Sequence, residues 1–150
     1  MRGAHILLVE DEPELVHALG LRLQAAGYRV TSAGDGLAAV EACLRARPDL
    51  VLLDLVLPGD DGHAVLRRLG GLWTDGGPPV VCVTARTDPD ERQRALAAGA
   101  AAFVTKPFDG RALVALVGAH LDRAAAGPAA APVAVPGVGT VLSGARLSPS

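Results

Sequence analysis

The chain has 150 residues, 50% hydrophobic and 20% charged, which suits one ordinary domain plus a short appendage. A net charge of -2 and a pI near 6.0 give no electrostatic footprint for nucleic acid or for an anionic membrane surface. Aromatic residues make up only 3%, so the core has to be built from Leu, Val and Ala.

The first apolar run, Ala4 to Val9, reads as a strand and stops abruptly in Glu10, Asp11 and Glu12. It opens the chain without the ordering of a signal peptide, and no run approaches the ~20 residues of a membrane span, so a cytoplasmic location is expected. Pro13 suits a first helical turn, where its missing N–H costs nothing. The helix that follows sets Leu15, Leu19, Leu23 and Ala26 on one stripe before Gly27 stops it. Tyr28 to Ala33 is the second strand-like run, and Leu37 to Ala46 repeats the helical period ahead of Pro48. Leu50 to Asp54 is the third run, followed by a short helix from His63 to Leu69. Pro79 to Thr84 and a helix from Asp90 to Ala98, closed by Gly99, come next. Ala102 to Thr105 and a helix from Asp109 to about Arg123 complete the series.

Near-continuous apolar runs of this length are typical of parallel strands covered on both faces. Their strict alternation with helices predicts an α/β fold, a doubly wound five-stranded parallel sheet with right-handed crossovers. The predicted domain spans 3–123. Residues 124–150 turn to Ala, Pro and Gly, with Arg146 the only charge from Gly127 onward, and read as a linker or tail. Val138 to Leu147 could also pair as a short hairpin, the start of a truncated effector domain. The two cysteines, Cys43 and Cys82, sit in apolar sequence and are expected as buried thiols. His5, His17, His63 and His120 show no metal-ligand spacing with them and are expected as surface or rim residues.

In doubly wound sheets ligands bind outside the carboxyl ends of the strands. Those ends present Glu10 and Asp11, then Asp54, then Thr84, with Lys106 just after the last strand. In the common order 2-1-3-4-5 the first and third ends are neighbours, so three carboxylates share one pocket. Such carboxylates repel, and a hard divalent cation, above all Mg²⁺, offsets the repulsion through oxygen ligands. Asp54 beside it is a candidate nucleophile that would form an acyl phosphate, with Thr84 and Lys106 binding the phosphoryl oxygens. Taken singly, each has an ordinary explanation. The acids are common helix caps, as Glu12 is expected to be, and Lys106 a solvated charge.

Four segments, "HILLVEDEPE", "VLLDLVLPGDDG", "VVCVTAR" and "GAAAFVTKPFD", in this order and spacing resemble the receiver domain of two-component response regulators, with its flavodoxin-like (βα)5 fold. The resemblance implies that Glu10 and Asp11 are the acid pair for Mg²⁺ and that Asp54 is the phosphoacceptor, loaded by a histidine kinase. It further implies that the backbone carbonyl of Val56 is a metal ligand, that Thr84 and Phe103 are the switch pair, that Lys106 pairs with the phosphate, and that the Lys106-Pro107 bond is cis. The output would be carried by the surface of the fourth helix, fifth strand and fifth helix, in a longer parent protein plausibly controlling transcription.

Two departures stand out. The first acid is Glu10 where the family often has Asp. Where relatives with winged-helix effectors carry acidic residues before the switch aromatic and an Arg in the last helix, this chain has Ala100, Ala101, Ala102 and Leu116. That predicts an apolar output face, suited to another partner or another mode of homodimer. None of these residues is equipped to contact nucleic acid. Two other functions compete. A haloacid-dehalogenase-type aspartyl-phosphate hydrolase needs a second Asp two residues after the nucleophile, where this chain has Val56. A pseudo-receiver, a binding module without phosphorylation, is at odds with the intact Asp54, Thr84 and Lys106 set.

Overall fold

A computed structural model describes residues 3–86 and 88–126. Five strands form one parallel sheet: β1 (His5–Val9), β2 (Arg29–Ala33), β3 (Leu50–Asp54), β4 (Val80–Thr84) and β5 (Ala102–Thr105). Their order is β2-β1-β3-β4-β5, as expected. The helices are α1 (Pro13–Ala25), α2 (Gly36–Arg45), α3 (Gly62–Gly70), α4 (Pro89–Ala97) and α5 (Gly110–Ala126). A two-residue ribbon, Val56–Leu57 against Asp60–Asp61, turns the chain from β3 into α3. Among the described residues no helix is long and apolar enough to cross a membrane.

Because side chains alternate across a strand, each central strand feeds both faces of the sheet. Leu7, Val9, Val51, Leu53 and Cys82 join α2, α3 and α4 in one apolar cluster. Ile6, Leu8, Leu50, Leu52, Val81 and Val83 join α1 and α5 in the other. The edge strand β2 is the exception, mostly exposed, which accounts for the polar Arg29, Thr31 and Ser32 in it.

Two expectations need correction here. Ala100, Ala102 and Leu116 are each 0% exposed and therefore belong to the core rather than to an output face. Leu116 lies one turn from Leu113 and His120, on the stripe of α5 that meets the sheet, where burying a Leu contributes roughly 2 kcal/mol. What borders α4 and β5 instead is a groove of about 330 Å³ lined by Arg86, Asp88, Pro89, Arg92, Gln93, Phe103 and Thr105, most of them polar. Ala101 is half-buried and Ala115 of α5 exposed, so the apolar side chains that still reach the surface here are small ones. Helix α5 also runs past the expected end near Arg123, to Ala126. The tail beyond it and the hairpin expected at Val138 to Leu147 lie outside the described residues.

The histidines form the second correction, since His5, His63 and His120 are all buried. His120 occupies a core position of α5, its Nε2 has no hydrogen-bond partner, and burial pushes its pKa below the ordinary 6.5. A base whose folded pKa is depressed contributes stability above its unfolded value, and that stability is lost as pH falls through the folded one. Urea unfolding at pH 7.5 and pH 5 is therefore expected to show a larger acid loss for the wild type than for His120→Leu. Equal losses would refute the assignment to His120.

Candidate functional site

Glu10 and Asp54 come together because β1 and β3 are neighbours in register. Val9 pairs with Leu53, so the next residue of each strand projects at the same carboxyl edge. Both are 5% exposed. Asp11, one residue on, is exposed, and oxygens of Glu10, Asp11 and Asp54 lie within 4.8 Å of one another. They open into a pocket of about 420 Å³ that Glu12, Pro13, Val56, Ala85 and Lys106 also line.

Lys106 reaches into this group from the far side of the sheet. Its Nζ donates to Glu10 Oε1 and to Asp54 Oδ2, both at 3.1 Å. The strand register brings it there: Lys106 N–H donates to the Thr84 carbonyl at 2.8 Å, and the following bond to Pro107 is cis. The remaining carboxylate oxygens are held by the backbone. Val56 N–H donates to Asp54 Oδ1 at 2.8 Å, and Glu12 N–H to Glu10 Oε2 at 3.2 Å. Glu12 stands at the N-cap of α1 without a capping side-chain bond, so the cap expected of it is positional only.

The electrostatics follow from the crowding. Burial raises the Glu10 pKa above 4.5, with help from the Asp54 charge, against the lowering effect of the Lys106 hydrogen bond. For Lys106, burial alone would lower the pKa. The hydrogen bonds and charges of Glu10 and Asp54 outweigh it and hold the ammonium above its ordinary value. One cation thus faces three carboxylates, leaving an excess of negative charge that favours a further cation.

Thr84 ends β4 one residue past Val83, which pairs with Asp54, and is fully buried. Its Oγ1 accepts from Arg86 N–H at 3.1 Å, so the hydroxyl proton is free to donate elsewhere. Phe103 on β5 is buried, with the Arg92 guanidinium 5.8 Å over its ring. The shape of the loop after Asp54 depends on Gly62. A Cβ there would lie 2.3 Å from the carbonyl oxygen of Leu55 and 2.5 Å from its Cα.

One constellation beside the site went unrecognised in the sequence. His63 Nε2 and Glu91 Oε2 meet at 3.2 Å, both fully enclosed. Helical phase was the available signal. His63 shares the buried stripe of α3 with Leu66 and Leu69, and Glu91 shares that of α4 with Ala95.

With the fold and the strand-end geometry in place, the chain matches the family described as the response regulator receiver domain over residues 6–118, and it belongs to that family. Among curated relatives it is 43% identical over 119 residues to the transcriptional regulatory protein CseB of Streptomyces coelicolor, covering 79% of this chain and 50% of that one. It is 44% identical over 118 residues to the DNA-binding response regulator MtrA of Mycolicibacterium smegmatis, again 79% and 50%. The chain thus spans about half the length of these relatives. Among solved structures, the BeF3-activated N-terminal receiver domain of Klebsiella pneumoniae RstA is similar, at TM-score 0.72 and 33% identity over 78% of this chain and 97% of that one. A CheY-like receiver domain protein from Methanospirillum hungatei has the same fold, at TM-score 0.79 and 24% identity over 84% and 99% of the two chains.

Proposed function

We propose that Asp54 is the phosphoacceptor of a cytoplasmic two-component switch, loaded from the phosphohistidine of a histidine kinase. The observation that carries this reading is the Lys106 bridge at 3.1 Å to both Glu10 and Asp54, beside the exposed carboxylate of Asp11. A carboxylate oxygen of Asp54 attacks phosphorus, the P–N bond of the donor breaks, and the imidazole leaves as an acyl phosphate forms. Lys106 pairs with the incoming phosphoryl oxygens, and the free hydroxyl proton of Thr84 donates to another. Glu10 keeps the ammonium aimed at Asp54.

The donor set suits Mg²⁺, since it offers carboxylate oxygens with negative charge in excess; Glu10, Asp11, Asp54 and the carbonyl of Val56 would hold it. Bound there, the ion supplies neutralisation of carboxylate and phosphoryl charge. The transfer and the later hydrolysis are self-catalysed events of the domain, not turnover of an external substrate.

The phosphoryl group carries about two negative charges where the free Asp54 carboxylate carried one, and Thr84 and Phe103 convert this change of charge and shape into a change of the α4-β5-α5 surface. Residues 3–123 are the receiver unit of this reading and 124–150 its linker or tail; for an effector in a longer parent protein, transcription control is the output suggested by CseB and MtrA.

The decisive test is incubation with acetyl phosphate and Mg²⁺ followed by intact-mass measurement. A phosphoryl adduct that needs the divalent ion is expected. Its absence under all conditions would leave a binding module that phosphorylation does not control. Phe103→Ala is expected to take up phosphate as the wild type does, yet lose the phosphorylation-dependent amide shifts of Arg92 and Gln93 in NMR spectra. Undiminished shifts would remove Phe103 from the switch.

A further inference from the structure

Glu91 is buried in the first turn of α4, a place where a carboxylate needs partners. Three side chains supply them. His63 Nε2, from the first turn of α3, lies 3.2 Å from Oε2. Arg94 Nη1 and Arg86 Nη1 lie 3.4 and 3.7 Å from Oε1. His63 is as enclosed as Glu91, whereas both arginine side chains are more than half exposed and cover the carboxylate from the solvent side. Glu91 also faces β4, where burial first and the Glu91 charge second push the Cys82 thiol far above its ordinary range.

Arg86 belongs to both this cluster and the site. Its guanidinium approaches Glu91, while its backbone N–H donates to Thr84 Oγ1 at 3.1 Å. A chain of direct contacts therefore runs from His63 through Glu91 and Arg86 to the hydroxyl at the end of β4. A buried carboxylate held from inside by His63 is a fixed anchor, since moving it would expose an unpaired polar group to the apolar core.

We propose that His63 and Glu91 are positioning residues that anchor Arg86 and, through its backbone N–H, fix the Thr84 hydroxyl for the phosphoryl group on Asp54. The proposal rests on the reading of Asp54 and Thr84 given above, and it adds a control on their rate that is set from α3 and α4. The arrangement leaves Thr84 as a hydrogen-bond acceptor toward Arg86, so that its proton stays available as a donor.

Glu91→Gln keeps the side chain's size and a hydrogen bond to His63 but removes the charge that draws Arg86. Arg86→Met cuts the same link from the exposed end. In the unphosphorylated protein, hydrogen exchange of the backbone amide at position 86, followed by NMR, is expected to rise about two- to fivefold in each variant. The double variant should exceed neither single one appreciably, because both break one link. Acyl-phosphate formation from acetyl phosphate should change by a similar factor in both.

Unchanged exchange at position 86, or effects that add in the double variant, would overturn the proposal and leave the pair as a simple brace between α3 and α4. A rise in exchange, with no phosphoryl adduct in any form including the wild type, would uphold the anchor and refute the reading of Asp54 instead. Should Glu91→Gln fail to fold, Arg86→Met, which alters a side chain 57% exposed, carries the test alone.

Discussion

Replacing Asp54 by Asn is expected to abolish the phosphoryl adduct entirely while the domain stays folded. The amide oxygen is a poor nucleophile, and no second carboxylate takes its place. Glu10 has both oxygens engaged, by Lys106 and by Glu12 N–H. Asp11 is exposed, outside the grip of the Lys106 ammonium among the contacts observed. Stability should barely change, because Asn can still accept from Val56 N–H and the substitution removes a charge that repels Glu10. A shift in melting temperature of less than about 4 °C, corresponding to about 1 kcal/mol, is expected. Intact mass after acetyl phosphate treatment, together with a thermal scan, checks both parts. A surviving adduct of equal yield would move the acceptor elsewhere.

Gly62→Ala should be the most damaging glycine-to-alanine change among the described residues. The added methyl meets the backbone of Leu55 at 2.3 to 2.7 Å, and backbone atoms, unlike the tip of a side chain, cannot swing aside. Overpacking of this kind costs about 3 kcal/mol, which lowers the melting temperature by on the order of 10 °C. Leu55 is bonded to Asp54 on one side and Val56 on the other, so its displacement disturbs Asp54 as well as the fold. Acyl-phosphate formation should slow even at temperatures where the variant remains native. Gly20→Ala is the control. It lies within α1 with open space around it and should stabilise the domain by about 0.5–1 kcal/mol. A Gly62→Ala variant as stable as the wild type would mean that α3 can shift away from the loop at no cost.

The sheet was legible because its three central strands are buried on both faces and so appear as unbroken apolar runs. Once alternation with helices implied parallel strands, topology alone brought Glu10, Asp11, Asp54 and Lys106 to one pocket, with Thr84 buried at the adjoining end of β4. What escaped was decided by helical phase and close approach. His63, Glu91 and His120 are polar residues on core stripes, and residue type outweighed phase in the reading of the histidines. The same fault in reverse put Leu116 on an output face, because it was judged by type without asking which way α5 turns it. The need for Gly62 depends on how near Leu55 passes, a distance that no pattern along the chain encodes.

The Lys106 bridge also bears on how the protein is made. Its partners lie 96 and 52 positions earlier in the chain, at Glu10 and Asp54. Synthesis from the N-terminus therefore brings Glu10, Asp11 and Asp54 out of the ribosome well before the lysine that balances them. Until β5 docks on the edge of the sheet, the incomplete domain holds a knot of like charges that resists closing. Among the described elements it is therefore the last strand that completes the pocket, because only with β5 in place does the acidic group hold its balancing lysine.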